Sequence, residues 1–323
     1  MTVSAKIGAL AAALGERALR DEPLAPYTAM RVGGPADLLI VCESVDEIVG
    51  AVEAARRHRV SWRLLGGGCN VLVADGGVRG LVIVNRAGRV EFDPAKGVAR
   101  AQAGALLAAL AREAVGHGLA GLEWAVALPG TVGGAVVGNA GAFDGDIAGV
   151  LRSATVLAPD GEVVERPNDW FEFGYRSSRV KGAREPGSRG AKEQGDKGAG
   201  EQRGAGTVVL AATFALRQGD PRALAARAGE ILEWRKTRHP TGATMGSTFK
   251  NPPGSHAGYL IEQAELRGTR IGGAQVSRLH GNFFMNTGAA TAADVLALIE
   301  HVRAEVQRQF GVEMELEIEL VGW

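Results

Sequence analysis

The chain of 323 residues contains only two cysteines, Cys42 and Cys69, and aromatic residues make up 5% of it. Two cysteines are too few for a disulfide framework or for a zinc site built from thiolates. The six histidines form no H-x-x-x-H arrangement and the cysteines no C-x-x-C, so no metal site is predicted. The formal net charge is zero, and nothing therefore indicates a nucleic-acid partner or an anionic membrane surface.

Long apolar runs are also missing. No uninterrupted apolar segment reaches the roughly 18 to 20 residues of a membrane helix. The first residues lack a charged segment that leads into an apolar one, so no secretory signal is predicted. We therefore expect a cytoplasmic, soluble protein with no membrane partner, whose length fits about two or three domains.

Glycine, in contrast, is abundant at 47 residues, and it is concentrated in two stretches. The first covers residues 66–72 (GGGCNVL) and the second covers residues 129–141 (PGTVGGAVVGNAG). Glycine carries an entropic cost, so dense runs favour a main chain that closely approaches a ligand such as a pyrophosphate. The alternative is a pair of tight turns in a glycine-rich protein. We favour a large phosphate-containing ligand, such as a nucleotide cofactor, bound from two sides.

Neither stretch is a Rossmann fingerprint. That motif requires G-x-G-x-x-G leading into a helix, with an acidic residue after the next strand. Residues 69–73, which follow the first three glycines, do not predict the start of a helix. The nucleotide must therefore be held in another fold.

Hydrophobic periodicity and capping signals place the remaining elements. The predicted segments are a lead-in helix over residues 1–20; strands near 38–42, 62–65, 81–84, 90–92, 98–101, 154–157, 163–166 and 208–210; helices after residue 44 and over 105–118, 221–236, 258–264 and 291–310; and a terminal strand over 313–320. Residues 181–206 contain no apolar side chain larger than alanine, which predicts a disordered surface insertion.

Three polar groups carry candidate chemistry. Ser247 lies on a loop with a lysine and an asparagine, and a hydroxyl so placed can donate a proton. The alternative is a polar turn in which Ser247 acts as a cap. The loop taken alone favours this alternative. Residues 173–179 offer two guanidiniums and a phenol, suited to carboxylate or phosphate recognition, or else form a solvated turn. In the terminal strand four glutamates alternate with apolar residues, and this period does not separate Glu317 from Glu315 or Glu319.

Together these motifs resemble the UDP-N-acetylenolpyruvoylglucosamine reductase family, the MurB family of peptidoglycan biosynthesis. The resemblance covers residues 20–323 apart from the insertion, and it is carried by residues 30–36, 66–72, 121–123, 129–135, 174–176, 246–252, 276–286 and 317–322. It implies a mixed α/β and α+β architecture of the vanillyl-alcohol oxidase type. The expected parts are two FAD-binding subdomains (21–84 and 85–217) and a C-terminal α+β substrate-binding domain (218–323).

The resemblance further implies a monomeric enzyme that uses NADPH and FAD to reduce UDP-N-acetylenolpyruvoylglucosamine to UDP-N-acetylmuramate. By match to the family, Ser247 would donate a proton, and Arg176 and Glu317 would flank the substrate carboxyl group. A glutamate beside a developing enolate must be protonated or bridged, so a raised pKa of Glu317 is predicted. The implied cofactor-binding residues are Gly66, Gly67, Gly68, Cys69, Asn70, Val71, Pro129, Gly130, Val132, Gly133, Gly134, Asn139, Ala140 and Gly141. The implied substrate-binding residues are Tyr175, Arg238, Asn251 and His280.

Departures from the family pattern are few. Cys69 stands where the family usually has serine, so one hydroxyl contact to the FAD pyrophosphate would be lost. Residues 127–129 are Ala-Leu-Pro where Gly-Ile-Pro is expected. The insertion contains no tyrosine, which favours the second type of the family, the one that lacks a substrate-covering tyrosine loop.

Two other functions remain open at this point. One is an FAD-dependent oxidase of the same fold that acts on an alcohol or a sugar, with a covalently held flavin. No histidine lies near either glycine-rich stretch, which argues against a histidyl link, whereas Cys69 keeps a cysteinyl link conceivable. The other is a nucleotide-binding protein without turnover, and the co-occurrence of Arg176, Ser247 and Glu317 in their motifs argues against it.

Overall fold

The computed structural model describes residues 2–181 and 206–323. The insertion predicted over residues 181–206 therefore lies outside the described residues, except at its two ends. The helices are α1 (Val3–Leu14), α2 (Val45–His58), α3 (Leu107–Gly116), α4 (Val132–Gly138), α5 (Pro221–Arg238), α6 (Ala257–Gln263) and α7 (Ala292–Phe310).

The strands alternate with these helices along the chain. They are β1 (Leu19–Pro23), β2 (Pro35–Cys42), β3 (Trp62–Leu65), β4 (Val71–Val73), β5 (Val78–Asn85), β6 (Val90–Asp93), β7 (Val98–Gln102), β8 (Leu119–Ala120), β9 (Gly141–Ala142), β10 (Gly145–Asp146), β11 (Leu151–Leu157), β12 (Val163–Pro167), β13 (Val208–Ala215), β14 (Arg217–Gln218), β15 (Thr244–Ser247), β16 (Arg270–Ile271), β17 (Ala274–Val276), β18 (Phe283–Asn286) and β19 (Glu319–Val321).

The chain groups into two compact units, each assembled from separate stretches of sequence. Unit 1 consists of Met1–Leu19, Leu38–Gly67 and Gly80–Leu232, and unit 2 of Arg20–Asp37, Gly68–Arg79 and Glu233–Trp323. The first glycine-rich stretch thus contributes Gly66 and Gly67 to unit 1 and its later residues to unit 2. The three-domain division expected from the sequence stays a prediction.

Unit 1 contains two hydrophobic cores. In the first, α1 and α2 pack together and cover a sheet in which β2, β5 and β3 follow in that order, with β3 and β5 parallel. Helix α2 begins where the Ser44 hydroxyl accepts a hydrogen bond from the Glu47 N–H, 3.2 Å long, which satisfies one orphan donor of the first turn. The second core lies against the antiparallel sheet β12-β11-β13-β7-β6 and includes α3 and α4.

Unit 2 is built on the antiparallel sheet β15-β18-β17-β16, whose apolar face packs with α6 and α7. A second, parallel pair joins β19 to β4. The capping box predicted at the start of α7 is confirmed: the Thr291 hydroxyl accepts from the Asp294 N–H, and the Asp294 carboxylate accepts from the Thr291 N–H. The Asp75 carboxylate accepts from the next two N–H groups, those of Ala292 and Ala293, at 2.8 and 2.9 Å.

Two predicted elements differ from the structure. The lead-in helix predicted over residues 1–20 ends at Leu14, because Gly15 adopts a φ of 73° that interrupts the helix, and residues 19–23 form β1 instead. The terminal strand predicted over 313–320 is a regular strand only in β19, Glu319–Val321. The predicted alternation is retained in part, since Met314 and Ile318 are buried.

The terminal segment is interrupted because it changes its pairing partner. Around Leu316 it pairs with Phe249, and from Glu319 onward it pairs with β4. Glu317 and Ile318 lie at this exchange and belong to neither ladder. The other predicted helices and strands are found in the structure, with small shifts at their ends.

The hydroxyl of Thr248 provides a test of the packing in unit 2. Thr248 is fully buried, and its Oγ1 has no hydrogen-bond partner in the described part of the chain. Because an unsatisfied buried hydroxyl is destabilising, the isosteric change Thr248→Val should raise the free energy of unfolding by about 1 kcal/mol. Urea unfolding at equilibrium measures this.

The matched control is Thr28→Val. Thr28 is also a buried threonine of unit 2, but its Oγ1 donates to the Val32 carbonyl oxygen at 2.9 Å. This change should lower the free energy of unfolding by about 1 kcal/mol. Equal destabilisation by both substitutions would show that the Thr248 hydroxyl makes a hydrogen bond after all.

Candidate active site and cofactor site

Three glycines of the two glycine-rich stretches are explained by the packing of the protein itself. A Cβ at Gly66 would lie 2.3 Å from the Thr131 Oγ1, so the two stretches meet within unit 1. A Cβ at Gly133 would lie 2.8 Å from the Ala103 Cβ. In unit 2, Gly68 has a φ of 61° and a Cβ there would lie 2.2 Å from the Tyr27 carbonyl oxygen. Side chains are excluded at these positions without reference to a ligand.

The start of α4 is also held by the protein. The N–H groups of Val132 and Gly133 donate to the carbonyl oxygens of Ala105 and Ala103, each at 2.8 Å. These two N–H groups therefore serve the fold, although the sequence had suggested the whole stretch as a source of donors for a pyrophosphate. The expectation that residues 69–73 open no helix is confirmed, because Val71 begins β4.

Gly134 and Gly138 are different, because no group in the described part of the chain requires a glycine at either position. A Cβ at Gly134 would meet only the Thr131 Oγ1, at an ordinary 3.6 Å, and a Cβ at Gly138 would meet nothing within 4 Å. The two residues are four apart in α4 and so share one face of the helix. Each glycine in a helix costs up to about 1 kcal/mol relative to alanine.

This bare face of α4 is the observation that fits an FAD cofactor, since an extended ligand could lie directly against the helix main chain there. Gly138 was not among the residues singled out from the sequence. The signal that could have identified it is its spacing of four residues from Gly134 within a short helix.

Arg176 lies at a tight turn that is held by the end of the second glycine-rich stretch. Gly174 and Ser177 exchange main-chain hydrogen bonds of 3.1 and 3.2 Å, which places Tyr175 and Arg176 at the corner, with Arg176 at a φ of 54°. The Asn139 Nδ2 donates to the Gly174 carbonyl oxygen at 3.0 Å. The orientation of the turn in unit 1 therefore depends on the residue that ends α4.

The guanidinium of Arg176 is itself oriented by the same stretch. Its Nη2 donates to the Gly141 carbonyl oxygen at 3.0 Å, and the guanidinium carbon lies 5.2 Å from the centroid of the Tyr175 ring. Tyr175 is exposed, whereas Arg176 is half-buried. A half-buried cation held in this way is suited to bind a carboxylate.

Ser247 and Glu317 belong to unit 2, where main-chain hydrogen bonds hold their segments side by side. Ser247 ends β15 opposite Phe283. The next residue, Thr248, accepts the Glu317 N–H at its carbonyl oxygen, at 2.9 Å. The Lys250 N–H donates to the Glu315 carbonyl oxygen at 2.8 Å. The structure thus places the segments of both candidate residues next to each other in unit 2, while Arg176 belongs to unit 1.

The structure separates Glu317 from the other three glutamates of the terminal segment. Glu313, Glu315 and Glu319 are exposed, and Glu317 is half-buried. The Glu315 carboxylate forms an ion pair with Lys250, so the cation that the sequence placed beside Ser247 is engaged by this neighbour. The alternation of the sequence could not distinguish Glu317 from the other glutamates. The change of pairing partner does, because it occurs at Glu317 and Ile318.

A cluster of aromatic and basic side chains surrounds the predicted substrate-binding residue Arg238. Its guanidinium carbon lies 5.3 Å from the Trp234 ring centroid. The ring of His239 packs edge-on against Trp234 and against His280, with centroids 5.2 and 5.3 Å apart. Burial, reinforced by the nearby Arg235 and His280, lowers the pKa of His239 to about 4. Sequence reasoning did not identify His239, which lacks any recognisable motif.

His280 is neutral at neutral pH for a similar reason, since burial lowers its pKa. Its Nδ1 accepts a hydrogen bond from the Asn282 N–H at 3.1 Å. The proton of the neutral ring therefore resides on Nε2, which can act as a donor. Asn251, the remaining predicted substrate contact, is exposed, and its Oδ1 accepts from the Ala257 N–H at the start of α6.

Within the described ranges, no group of three or more His, Cys, Asp and Glu side chains could hold a metal ion. No helix in the described part of the chain is long and apolar enough to cross a bilayer.

Comparison with known proteins places the chain. A profile of the FAD binding domain matches residues 36–166, and a profile of the C-terminal domain of UDP-N-acetylenolpyruvoylglucosamine reductase matches residues 238–321. The UDP-N-acetylenolpyruvoylglucosamine reductase of Rubrobacter xylanophilus is 42% identical over 302 residues, which is 94% of this chain and 94% of the relative. That of Bacillus subtilis is 36% identical over 307 residues, 95% of this chain and 94% of the relative.

A solved structure agrees with these sequence matches. The crystal structure of UDP-N-acetylenolpyruvylglucosamine reductase (MurB) from Thermus caldophilus superposes with a TM-score of 0.74 at 34% identity, covering 94% of this chain and 98% of that one. The resemblance predicted from the motifs is confirmed, and the fold is an FAD-binding domain joined to this reductase's C-terminal domain. The chain belongs to the UDP-N-acetylenolpyruvoylglucosamine reductase family.

Proposed function

We propose that the chain reduces the enolpyruvyl ether of UDP-N-acetylenolpyruvoylglucosamine to the lactyl ether of UDP-N-acetylmuramate in peptidoglycan synthesis. The relatives that span nearly all of the chain are reductases of this substrate by name. The observation that carries the proposal is the hydrogen bond between the Glu317 N–H and the Thr248 carbonyl oxygen. It holds a carboxyl group and the Ser247 hydroxyl on neighbouring segments of one unit.

The cofactor is FAD, held by both glycine-rich stretches and by the bare face of α4 at Gly134 and Gly138. Bound FAD would supply the redox chemistry, taking a hydride from NADPH and releasing it to the methylene carbon of the enolpyruvyl group. The roles of the individual residues of the glycine-rich stretches are part of this proposal. Val132 and Gly133 are among the implied cofactor-binding residues, but their N–H groups are bonded to the carbonyl oxygens of Ala105 and Ala103. These two residues therefore shape the site without donating hydrogen bonds to the cofactor.

The substrate gains negative charge when its double bond is reduced. Hydride addition at the methylene carbon places charge on the neighbouring carbon and, as an enolate, on the carboxylate, and this charge requires preorganised stabilisation. Arg176, whose guanidinium is oriented by Gly141, opposes the charge. Glu317 contributes only if it is protonated or bridged, so a raised pKa of Glu317 stays part of the proposal.

Ser247 completes the reaction. Its hydroxyl donates a proton to the second carbon, where the charge has developed, and the new C–H bond yields the lactyl ether. Gly246, with a φ of 77°, precedes it within β15, where the pairing with β18 changes register between Thr244 and Ser247.

The nucleotide part of the substrate is assigned to the cluster around Arg238. Arg238 binds the diphosphate, His280 donates from its neutral ring, and Asn251 adds a polar contact. Tyr175, which belongs to unit 1, is a further substrate contact of this proposal. Because the pKa values of His239 and His280 are lowered, neither imidazole changes its charge beside the diphosphate as the pH varies near neutral. We further propose that the chain acts as a monomer in the cytoplasm and that it has no nucleic-acid partner, given its zero net charge.

The deciding experiment follows NADPH absorbance in flavin-loaded protein with UDP-N-acetylenolpyruvoylglucosamine as acceptor. Substrate-dependent oxidation of NADPH supports the proposal, and a loaded sample without turnover contradicts it. Acid precipitation tests the alternative oxidase of the same fold, because a covalent flavin would stay with the pellet. The comparisons do not favour that alternative.

A narrower prediction concerns Ser247→Ala. Loss of the hydroxyl should leave reduction of the flavin by NADPH within about threefold of wild type, whereas reoxidation by substrate should slow by roughly a hundredfold or more, the usual contribution of a proton donor. Stopped-flow absorbance separates the two half-reactions. Ser255→Ala, a serine farther along the same region, is the control and should change neither rate. Equal slowing of both half-reactions would remove Ser247 from the role of proton donor.

The bare face of α4 gives a second prediction. Gly134→Ala and Gly138→Ala should each stabilise the flavin-free protein, by up to about 1 kcal/mol, because alanine is the better helix former. Each should also weaken FAD binding roughly tenfold, because the new methyl group occupies space required by the cofactor. Thermal unfolding of flavin-free protein and a flavin fluorescence titration measure the two effects.

The matched control is Gly229→Ala in α5. A Cβ at Gly229 also meets nothing within 4 Å, so this change should stabilise the protein and leave FAD affinity as it is. Unchanged FAD affinity in both α4 variants would mean that this face does not contact the cofactor.

A further inference from the structure

Asn70 contacts the main chain on both sides of Ile318. Its side-chain Nδ2 donates to the Glu317 carbonyl oxygen at 3.0 Å. Its own carbonyl oxygen accepts from the Glu319 N–H at 2.9 Å. All of these residues belong to unit 2. One asparagine therefore binds two main-chain polar groups, one on each side of Ile318, in the segment that carries the candidate carboxyl group.

This contact extends a β ladder by one step. From Glu319 to Val321 the terminal strand pairs in parallel with Val71 to Val73, residue by residue. Before Glu319 the terminal segment is no longer a regular strand. There the Asn70 side-chain amide, instead of a main-chain N–H, donates to the Glu317 carbonyl oxygen. The pairing with β4 is thereby continued back to Glu317.

Glu317 is consequently held at both of its main-chain polar groups. Its N–H donates to Thr248, next to Ser247, and its C=O accepts from Asn70. With both peptide groups fixed, the direction of the Cα–Cβ bond is fixed as well, and of the four glutamates only this one is half-buried. A displaced charge stabiliser loses much of its effect, since a 1 Å shift in a reacting geometry lowers rates by up to about a hundredfold.

We propose that Asn70 is a positioning residue: its side-chain amide holds Glu317 in place for the step in which negative charge develops on the substrate. The inference rests on the proposed function for the nature of that step. It also assigns Asn70 a different task from the one its place in the glycine-rich stretch implied, because its side-chain donor is directed to Glu317 rather than kept for a cofactor phosphate.

The test uses the flavin-loaded full chain with Asn70→Ala and Asn70→Asp. The aspartate keeps the shape, removes the donor and places an oxygen opposite the Glu317 carbonyl oxygen. In both variants reoxidation of the flavin by UDP-N-acetylenolpyruvoylglucosamine should slow roughly tenfold or more, and its pH profile should shift. Reduction by NADPH and the dissociation constant of FAD should stay within about threefold of wild type.

A second measurement requires no flavin. Amide hydrogen exchange of the flavin-free protein should become faster in a peptide that covers Glu317 and Glu319 in both variants, because the segment has lost its attachment to the Asn70 side chain. The control is Asn286→Ala, which removes a comparable bond of unit 2, from Nδ2 to the Met30 carbonyl oxygen at 3.1 Å, together with the two bonds that its Oδ1 accepts from the Gly288 and Ala290 N–H groups. It should leave exchange at Glu317 and both half-reactions unchanged.

The outcomes separate the two proposals. If FAD affinity and both half-reactions fall together, Asn70 is a cofactor ligand and the positioning role is wrong. Unchanged exchange at Glu317 together with unchanged reoxidation would likewise overturn it. If wild-type protein fails to turn over at all, the proposed function fails, and faster exchange in the Asn70 variants would still support the attachment of Glu317.

Discussion

The candidate active site in unit 2 depends on one main-chain interaction, the pairing of the segment after Ser247 with the segment around Glu317. Two hydrogen bonds, from Lys250 to Glu315 and from Glu317 to Thr248, form this pairing. Because they use main-chain atoms, they do not depend on which side chains follow each other in either segment. The sheet and α7 then bury the apolar neighbours Phe249, Met314 and Ile318, and this burial supplies the hydrophobic free energy that keeps the pairing in place.

The sequence predicted most elements because their signals are local. The capping box at Thr291 and the apolar stripe of α7 are examples, and both are found in the structure. The terminal segment shows where local signals end. Its alternation predicted one strand, but a change of partner near Ile318 is a tertiary event without a local signature. The same event singles out Glu317, so periodicity could not identify this residue, whereas the family resemblance pointed to it.

The glycine-rich stretches show a second limit of sequence reasoning. Their density indicated close approach by a ligand, yet Gly66, Gly68 and Gly133 are required because other parts of the chain approach them. Gly134 and Gly138 have no such neighbour in the described part of the chain, and they carry the argument for a cofactor. A glycine therefore supports a binding site only when the folded chain itself leaves room for a side chain, and this room depends on the fold and not on the local sequence.

Each glycine-rich stretch is also joined, within its own unit, to a residue with proposed chemistry. In unit 1 the second stretch orients Arg176 through Gly141. In unit 2 the end of the first stretch holds Glu317 through Asn70. A stretch proposed both to bind a cofactor and to hold a reacting side chain must itself be rigid, and at Asn70 the side-chain donor adds a second attachment to the one that the main-chain carbonyl oxygen makes.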